Sequence, residues 1–224
     1  MARYNPDGSL DPTFGDGGKV TTDFDLESDV AAALILQRDG KLVAAAEAFG
    51  LVRYNADGSL DRAFGDGGRV RTDFGGQGQQ AHALAVQRDG KFVAAGRVDG
   101  LIGGFALARY NPDGTLDTTF GTGGLVISGL GGNVDYATAL VVQPDGRLVA
   151  AGFPGLIRFN PDGTLDTTFG DGGKVFSDMA TAALVVQAGR RLVTAGTAVT
   201  EHDDGSVDIN FGLAGYHIGR SRSD

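Results

Sequence analysis

Apolar residues fall in short runs separated by Asp-Gly turns, and the arrangement returns four times along the chain. In Ala81-His-Ala-Leu-Ala-Val86 and Phe92-Val-Ala-Ala95 nearly every position is apolar, while Gln87-Arg-Asp-Gly-Lys91 between them is polar. Runs this short read as strands, and an apolar residue at successive positions reads as a strand buried on both faces. Asp followed by Gly fits a type I turn that ends in a left-handed residue, where glycine has no Cβ to clash. The two runs are therefore predicted to form a hairpin of strands A and B, with counterparts at 31–46, 137–152 and 181–196. The Ala-rich strand A suits the crowded position nearest a propeller axis.

A second block alternates with the first. Arg3-Tyr-Asn-Pro-Asp-Gly-Ser-Leu-Asp11, continuing to Val20, returns at 53–70, 109–126 and 158–175, and in eroded form at 204–218. Its aromatic residue (Tyr4, Tyr54, Tyr110, Phe159) recurs at spacings of 50, 56 and 49 residues. The aromatic closes a short strand C, Asn-x-Asp-Gly makes a turn, and a linker leads into a short strand D. Four strands per period of about 50 residues, with a turn at each junction, is the profile of a propeller blade. Leu10 and Phe14, with Leu60/Phe64, Leu116/Phe120 and Leu165/Phe169, are expected to plug the space between neighbouring blades.

The recurring Ala-Arg-Tyr-Asn-Pro-Asp-Gly-Ser-Leu-Asp, then Phe-Gly-x-Gly-Gly-Lys-Val and Gln-x-Asp-Gly-Lys-Leu-Val-Ala-Ala-Gly, resembles the delta-60 repeat family of bacteria over residues 2–196. That resemblance implies β-propeller repeats without an assigned biochemical function. The expected fold is all-β: a propeller of four-stranded antiparallel blades over 1–196, followed by a degenerate repeat half and tail over 197–224. The simplest closed ring has four blades and pairs the N-terminal strands with the hairpin at 181–196, which removes exposed edges. Residues 198–224 are then surplus. The alternative is an open arc in which 204–218 is a working C–D pair and a second copy or further sequence completes the ring. The expected state is thus a monomer or a self-complementing dimer.

Composition narrows the function classes. Glycine supplies 38 of 224 residues, more than twice its usual share, in fixed clusters that suit many tight turns. The formal net charge of −9 argues against nucleic acid as a partner. The absence of cysteine excludes disulfides and thiolate chemistry. No apolar run reaches 18 residues, so no membrane partner is expected. The first residues lack the basic and apolar regions of a signal peptide, and the chain starts inside a repeat. Those features suggest a cytoplasmic protein by default, or an extracellular one if the chain is part of a longer surface protein.

Candidate chemistry is sparse. Asn5, Asp7 and Asp11, with their repeats, have oxygen ligands around a glycine turn, as calcium loops do. Their spacing departs from the EF-hand pattern, and Asn and Asp also stabilise turns through backbone contacts, so no cofactor is expected and calcium is the alternative. His82, His202 and His217 do not repeat and lack zinc spacing. No nucleophile elbow or phosphate loop is present. The repeats differ mainly in the D-to-A and B-to-C loops, which should rim one face. Asp29, His82, Asp135 and Tyr136 are the candidate ligand-binding residues there. The expected function is a non-catalytic interaction or scaffold module for a protein, peptide or glycan. The alternatives are a calcium-dependent hydrolase or lyase acting at the propeller face, and a structural part of a larger bacterial surface protein.

Overall fold

The computed structural model describes residues 1–23, 30–99, 104–131, 135–187, 191–201 and 207–217. It contains four antiparallel sheets, each a meander of successive strands. The first blade is β1 (Ala31–Leu36), β2 (Leu42–Ala46), β3 (Gly50–Tyr54) and β4 (Arg69–Arg71). The second is β5 (Gln77–Val86), β6 (Phe92–Asp99), β7 (Gly104–Tyr110) and β8 (Leu125–Ser128). The third is β9 (Tyr136–Val142), β10 (Leu148–Phe153), β11 (Gly155–Phe159) and β12 (Lys174–Phe176). The fourth has three strands, β13 (Met179–Gln187), β14 (Arg191–Glu201) and β15 (Val207–His217). The chain has a β-propeller fold, and its four A–B hairpins and the C–D units at 53–70, 109–126 and 158–175 lie where the sequence repeat puts them.

Packing runs from each blade to the next. The inner strands β1, β5, β9 and β13 lie side by side in that order. Val43, Ala45 and Leu51 of the first blade pack with Phe92, Ala94 and Tyr110 of the second. Val93, Ala95 and Leu107 pack with Leu148, Ile157 and Phe159 of the third, and Val149, Ala151 and Leu156 with Leu184 and Leu192 of the fourth. A Val/Ala face thus meets a Leu/aromatic face at every junction. Each side chain fully buried this way contributes roughly 1.5–3 kcal/mol. The linker phenylalanines Phe14, Phe64, Phe120 and Phe169 are all buried, as plugs should be, whereas Leu10, Leu60, Leu116 and Leu165 are half-buried.

The N-terminal segment is a half-blade. Single bridges join Ala2 to Lys19 and Tyr4 to Leu10, and Met1 and Val20 pack against Ala44, Val52 and Tyr54 of the first blade. The expected ring closure is not among the strand pairings of the described residues. The edge of β14 that the N-terminal strands were to take is covered by β15, paired from Arg191↔His217 to Glu201↔Val207. The reason lies in register. Phe211-Gly-Leu-Ala-Gly-Tyr216 repeats Phe105-Ala-Leu-Ala-Arg-Tyr110 of β7, so it is a strand C and not the linker with which 204–218 was aligned. Tyr216 stands opposite Leu192 as Tyr110 stands opposite Phe92 and Phe159 opposite Leu148. Residues 207–217 are therefore an integral strand of the fourth blade, not a surplus segment, and β14 crosses position 196 without a break.

Candidate functional site

The recurring charged residues build one device in three of the repeats. Arg109 sits at the end of β7 with its Nε 2.7 Å from Asp117 Oδ2 and its guanidinium carbon 4.6 Å above the Phe120 ring. One terminal nitrogen donates to Thr119 Oγ1 at 3.2 Å, and the other to the carbonyl of Pro161 in the next blade. Lys91, the first residue after the A–B turn, reaches the same Asp117 oxygen at 2.6 Å. Arg53 repeats the set with Asp61, Phe64, Lys41 and the Pro112 carbonyl, and Arg158 with Asp166, Phe169 and Arg147.

These carboxylates are held ionised. Burial alone would raise the Asp117 pKa, but the hydrogen bonds from Lys91 and Thr119 and the charge of Arg109 outweigh it, and the net shift is strongly downward. The Lys41 hydrogen bond leads the lowering at Asp61. At Asp166 burial is again the largest effect, yet the Thr168 hydroxyl and backbone, with Arg158 and Arg147, bring the value below normal. Each acid ties strands B and C to the linker of its own blade, and the Arg53 and Arg109 guanidinium groups extend that tie to the next blade.

The Asn-x-Asp-Gly loops are equally committed. Asp7 Oδ1 accepts the Ser9 backbone N–H at 2.9 Å and its hydroxyl at 2.7 Å, and Asn5 donates to the same hydroxyl. Asp11 turns away to Arg3 and Thr13. Asn5 and Asp7 thus share Ser9, and Asp11 is committed elsewhere. Among the described residues, no group of three or more His, Asp or Glu side chains is gathered as a metal site would gather them.

The opposite face is built from the starts of the inner strands and the loops beside them. All four inner hairpins carry a β-bulge in strand A, at Ala32, His82, Thr138 and Ala182. The bulge swings a backbone carbonyl against the partner strand: a Cβ on Gly152 would lie 1.9 Å from the Tyr136 carbonyl oxygen, and one on Gly96 1.8 Å from that of Gln80. Bulges re-aim the extra side chain. The Thr138 hydroxyl donates to the Thr181 carbonyl on the next inner strand.

His82 holds the matching place on β5, half-buried, and burial together with the Arg97 charge lowers its pKa, so it is neutral at pH 7. Asp135 is only 5% exposed, and its Oδ2 accepts the backbone N–H groups of Leu130 and Gly131, which closes that loop. Tyr136 is half-buried with its ring centroid 6.3 Å from Phe153. Asp29 lies outside the described residues.

The same face carries a feature that sequence reasoning did not isolate. A groove of about 380 Å³ between the first and second blades is lined by Ala48, Arg71, Thr72, Asp73, Gly76 and Gln79. Ala48 and Phe49 hold left-handed backbone conformations, φ 53° and 48°, in the B–C turn that forms its wall. Burial of Phe49 against Phe74, centroids 4.6 Å apart, offsets that strain. Asp73 accepts from Gln79 and the Gly75 amide, which lowers its pKa.

Residues 1–14, 37–64, 87–120 and 143–169 match a family described as a β-propeller domain of unknown function (DUF5122). No curated protein matches the chain. Among solved structures, a protein of unknown function from Bacteroides caccae is similar, with a TM-score of 0.58 at 10% identity over 97% of this chain and 68% of that one. The extracellular domain of a protein described as a one-component system from B. thetaiotaomicron gives 0.51 at 13% identity, over 91% of this chain and 23% of that one. PorZ, a bacterial surface component of the type-IX secretion system of Porphyromonas gingivalis, gives 0.51 at 10% identity, over 85% and 28%. At these identities the likeness is one of fold. The chain spans about two thirds of the first neighbour and roughly a quarter of the other two.

Proposed function

We propose that this chain is a non-catalytic interaction module whose loop face binds a protein, peptide or glycan. One observation carries the reading: charged residues common to the repeats are spent on the inter-blade staples, while residues that vary between repeats gather at the loop face. His82, Thr138 and Ala182 vary at one bulge position, and Arg71, Asp73 and Gln79 line a groove large enough for a few side chains or a sugar unit.

The test screens the purified chain on glycan and peptide arrays, beside a variant carrying Arg71→Ala, His82→Ala and Tyr136→Ala. Saturable binding that falls roughly tenfold or more in the variant supports the loop face. Ligands retained at full strength by the variant would refute it.

A further inference from the structure

Asp-Gly recurs at the turns of every repeat, and the structure sorts its copies into two kinds. Ten pairs lie wholly within the described residues. In seven of them the glycine amide is taken. Gly8, Gly58, Gly114 and Gly163 donate to the carbonyls of Asn5, Asn55, Asn111 and Asn160 at 2.9–3.0 Å, and Gly40, Gly90 and Gly146 to those of Gln37, Gln87 and Gln143. The carboxylates are taken as well. Asp7, Asp57, Asp113 and Asp162 each accept the backbone N–H and the hydroxyl of the residue two positions on, which lowers their pKa values. Asp39, Asp89 and Asp145 accept the backbone N–H of Lys41, Lys91 and Arg147 at 3.2 Å.

The other three pairs, Asp16-Gly17, Asp66-Gly67 and Asp171-Gly172, sit in the tight turn before strand D. Asp66 closes that turn through its backbone alone. Its N–H donates to the Arg69 carbonyl at 2.8 Å, and its carbonyl accepts from the Arg69 N–H at 3.1 Å. Asp16 with Lys19 and Asp171 with Lys174 do the same. Among the described residues, none of these three carboxylates has a hydrogen bond or ion pair, and none of the three following amides donates one. All three pairs are exposed, and a Cβ on Gly17, Gly67 or Gly172 would meet nothing within 4 Å.

We propose that Asp16, Asp66 and Asp171 are sites of spontaneous isomerisation to β-linked aspartate, and that the other seven pairs are protected by their turns. The glycine nitrogen attacks the aspartate Cγ, and its proton leaves with the carboxyl hydroxyl as water, closing a cyclic imide. Water then adds at the α-carbonyl carbon and breaks its bond to the glycine nitrogen. The chain now runs through Cβ and Cγ, the α-carboxylate is set free, and the water released is matched by the water taken up. Glycine suits the attack because no Cβ crowds its nitrogen. In the closed turns the amide would first have to give up its hydrogen bond, and the carboxylate its donors. The added main-chain atom lengthens the turn, so the Asp66–Arg69 pairing opens where β4 begins. The third linker carries Thr122 in this place, in the same turn with the same pairing to Leu125, and it cannot react.

The experiment holds the intact chain for weeks at neutral pH and body temperature, beside a sample unfolded in urea. Digests are read by electron-transfer mass spectrometry, which separates α-linked from β-linked aspartate. In the folded chain β-linkage should accumulate at Asp16, Asp66 and Asp171 several-fold faster than at Asp57 and Asp162. In urea the rates should converge, because the protection belongs to the turns. Asp66→Asn should speed conversion at that position, since ammonia then leaves in place of water, and Asp66→Thr should abolish it there without changing the rate at Asp171. Equal rates at all ten pairs in the folded chain would overturn the proposal. So would α-linkage kept at Asp66 and Asp171 over the time in which the urea sample converts.

Discussion

Replacing Phe120 by Ala tests the inter-blade plug directly. The ring is fully buried between the second and third blades, with the Arg109 guanidinium 4.6 Å above it and Gly163 of the next turn against its edge. Removing a buried Phe side chain costs about 3–5 kcal/mol, because the surroundings close only partly over the cavity. Loss of the ring face beneath a half-shielded cation adds about 0.5–2 kcal/mol. The expected destabilisation is thus about 4–6 kcal/mol, a large part of the total stability of a domain. Phe120→Leu keeps most of the volume and should cost only about 1–2 kcal/mol. Urea unfolding followed by far-ultraviolet circular dichroism gives both values, and tyrosine fluorescence provides a second probe in a chain with five Tyr and no Trp. Each blade touches only its neighbours, so amide exchange should accelerate in β7–β11 and leave β1–β3 unchanged. A loss below about 2 kcal/mol for Phe120→Ala, or uniform acceleration along the chain, would refute the assignment of this ring as a local plug.

Two further outcomes follow from the staples and turns. Asp61, Asp117 and Asp166 have folded pKa values below those of the unfolded chain, so their contribution to stability is complete above pH ~4–5 and disappears as pH falls through the folded values; Asp117→Asn should flatten the acid limb of a stability–pH curve, and an unaltered limb would show that this ion pair is not the source. Gly172 and Gly163 both have positive φ, 56° and 88°, but a Cβ on Gly172 meets nothing within 4 Å whereas one on Gly163 lies 2.8 Å from Phe120 Cε2; Gly172→Ala should cost about 1–2 kcal/mol and Gly163→Ala roughly 1–3 kcal/mol more, and equal thermal shifts would count against the close approach.

The blades were legible because each of their strands ends in a turn with strong local chemistry. Asp-Gly and Asn-Pro-Asp-Gly fix where the chain reverses, and the regular return of Phe64, Phe120 and Phe169 announces a position that must be filled. β15 was misread because its closing motif, Gly215-Tyr216, lacks the Arg and the Asn that mark other C strands, so only counting back from Phe211 recovers the register. The bulges at His82 and Thr138 leave no composition signal; their trace is a small residue across the hairpin, Gly96 and Gly152 here and Ala46 in the first blade. Asp135 looked like a rim residue because an acid in a glycine-rich loop usually faces water, but here two backbone amides take it inward. The Arg–Asp–Lys staples were invisible for a different reason: Arg and Asp lie eight residues apart across a turn, and Lys41 and Lys91 stand 20 and 26 residues before their acids and reach them only when strands B and C pair.

The second repeat shows where this architecture accepts change. Its period is 56 residues against 50 and 49, and the excess falls between Gln87 and Tyr110, where β6 and β7 are lengthened at one rim, while the turns at Asn111–Gly114 and Gln87–Gly90 keep the hydrogen bonds of their counterparts. The two rims therefore evolve under opposite rules. One is pinned, since its Asn-x-Asp-Gly turns accept an amide of the preceding linker at Asp57, Asp113 and Asp162. The other is a free margin, where a lineage can lengthen a hairpin and acquire a new contact surface without disturbing how one blade is fastened to the next.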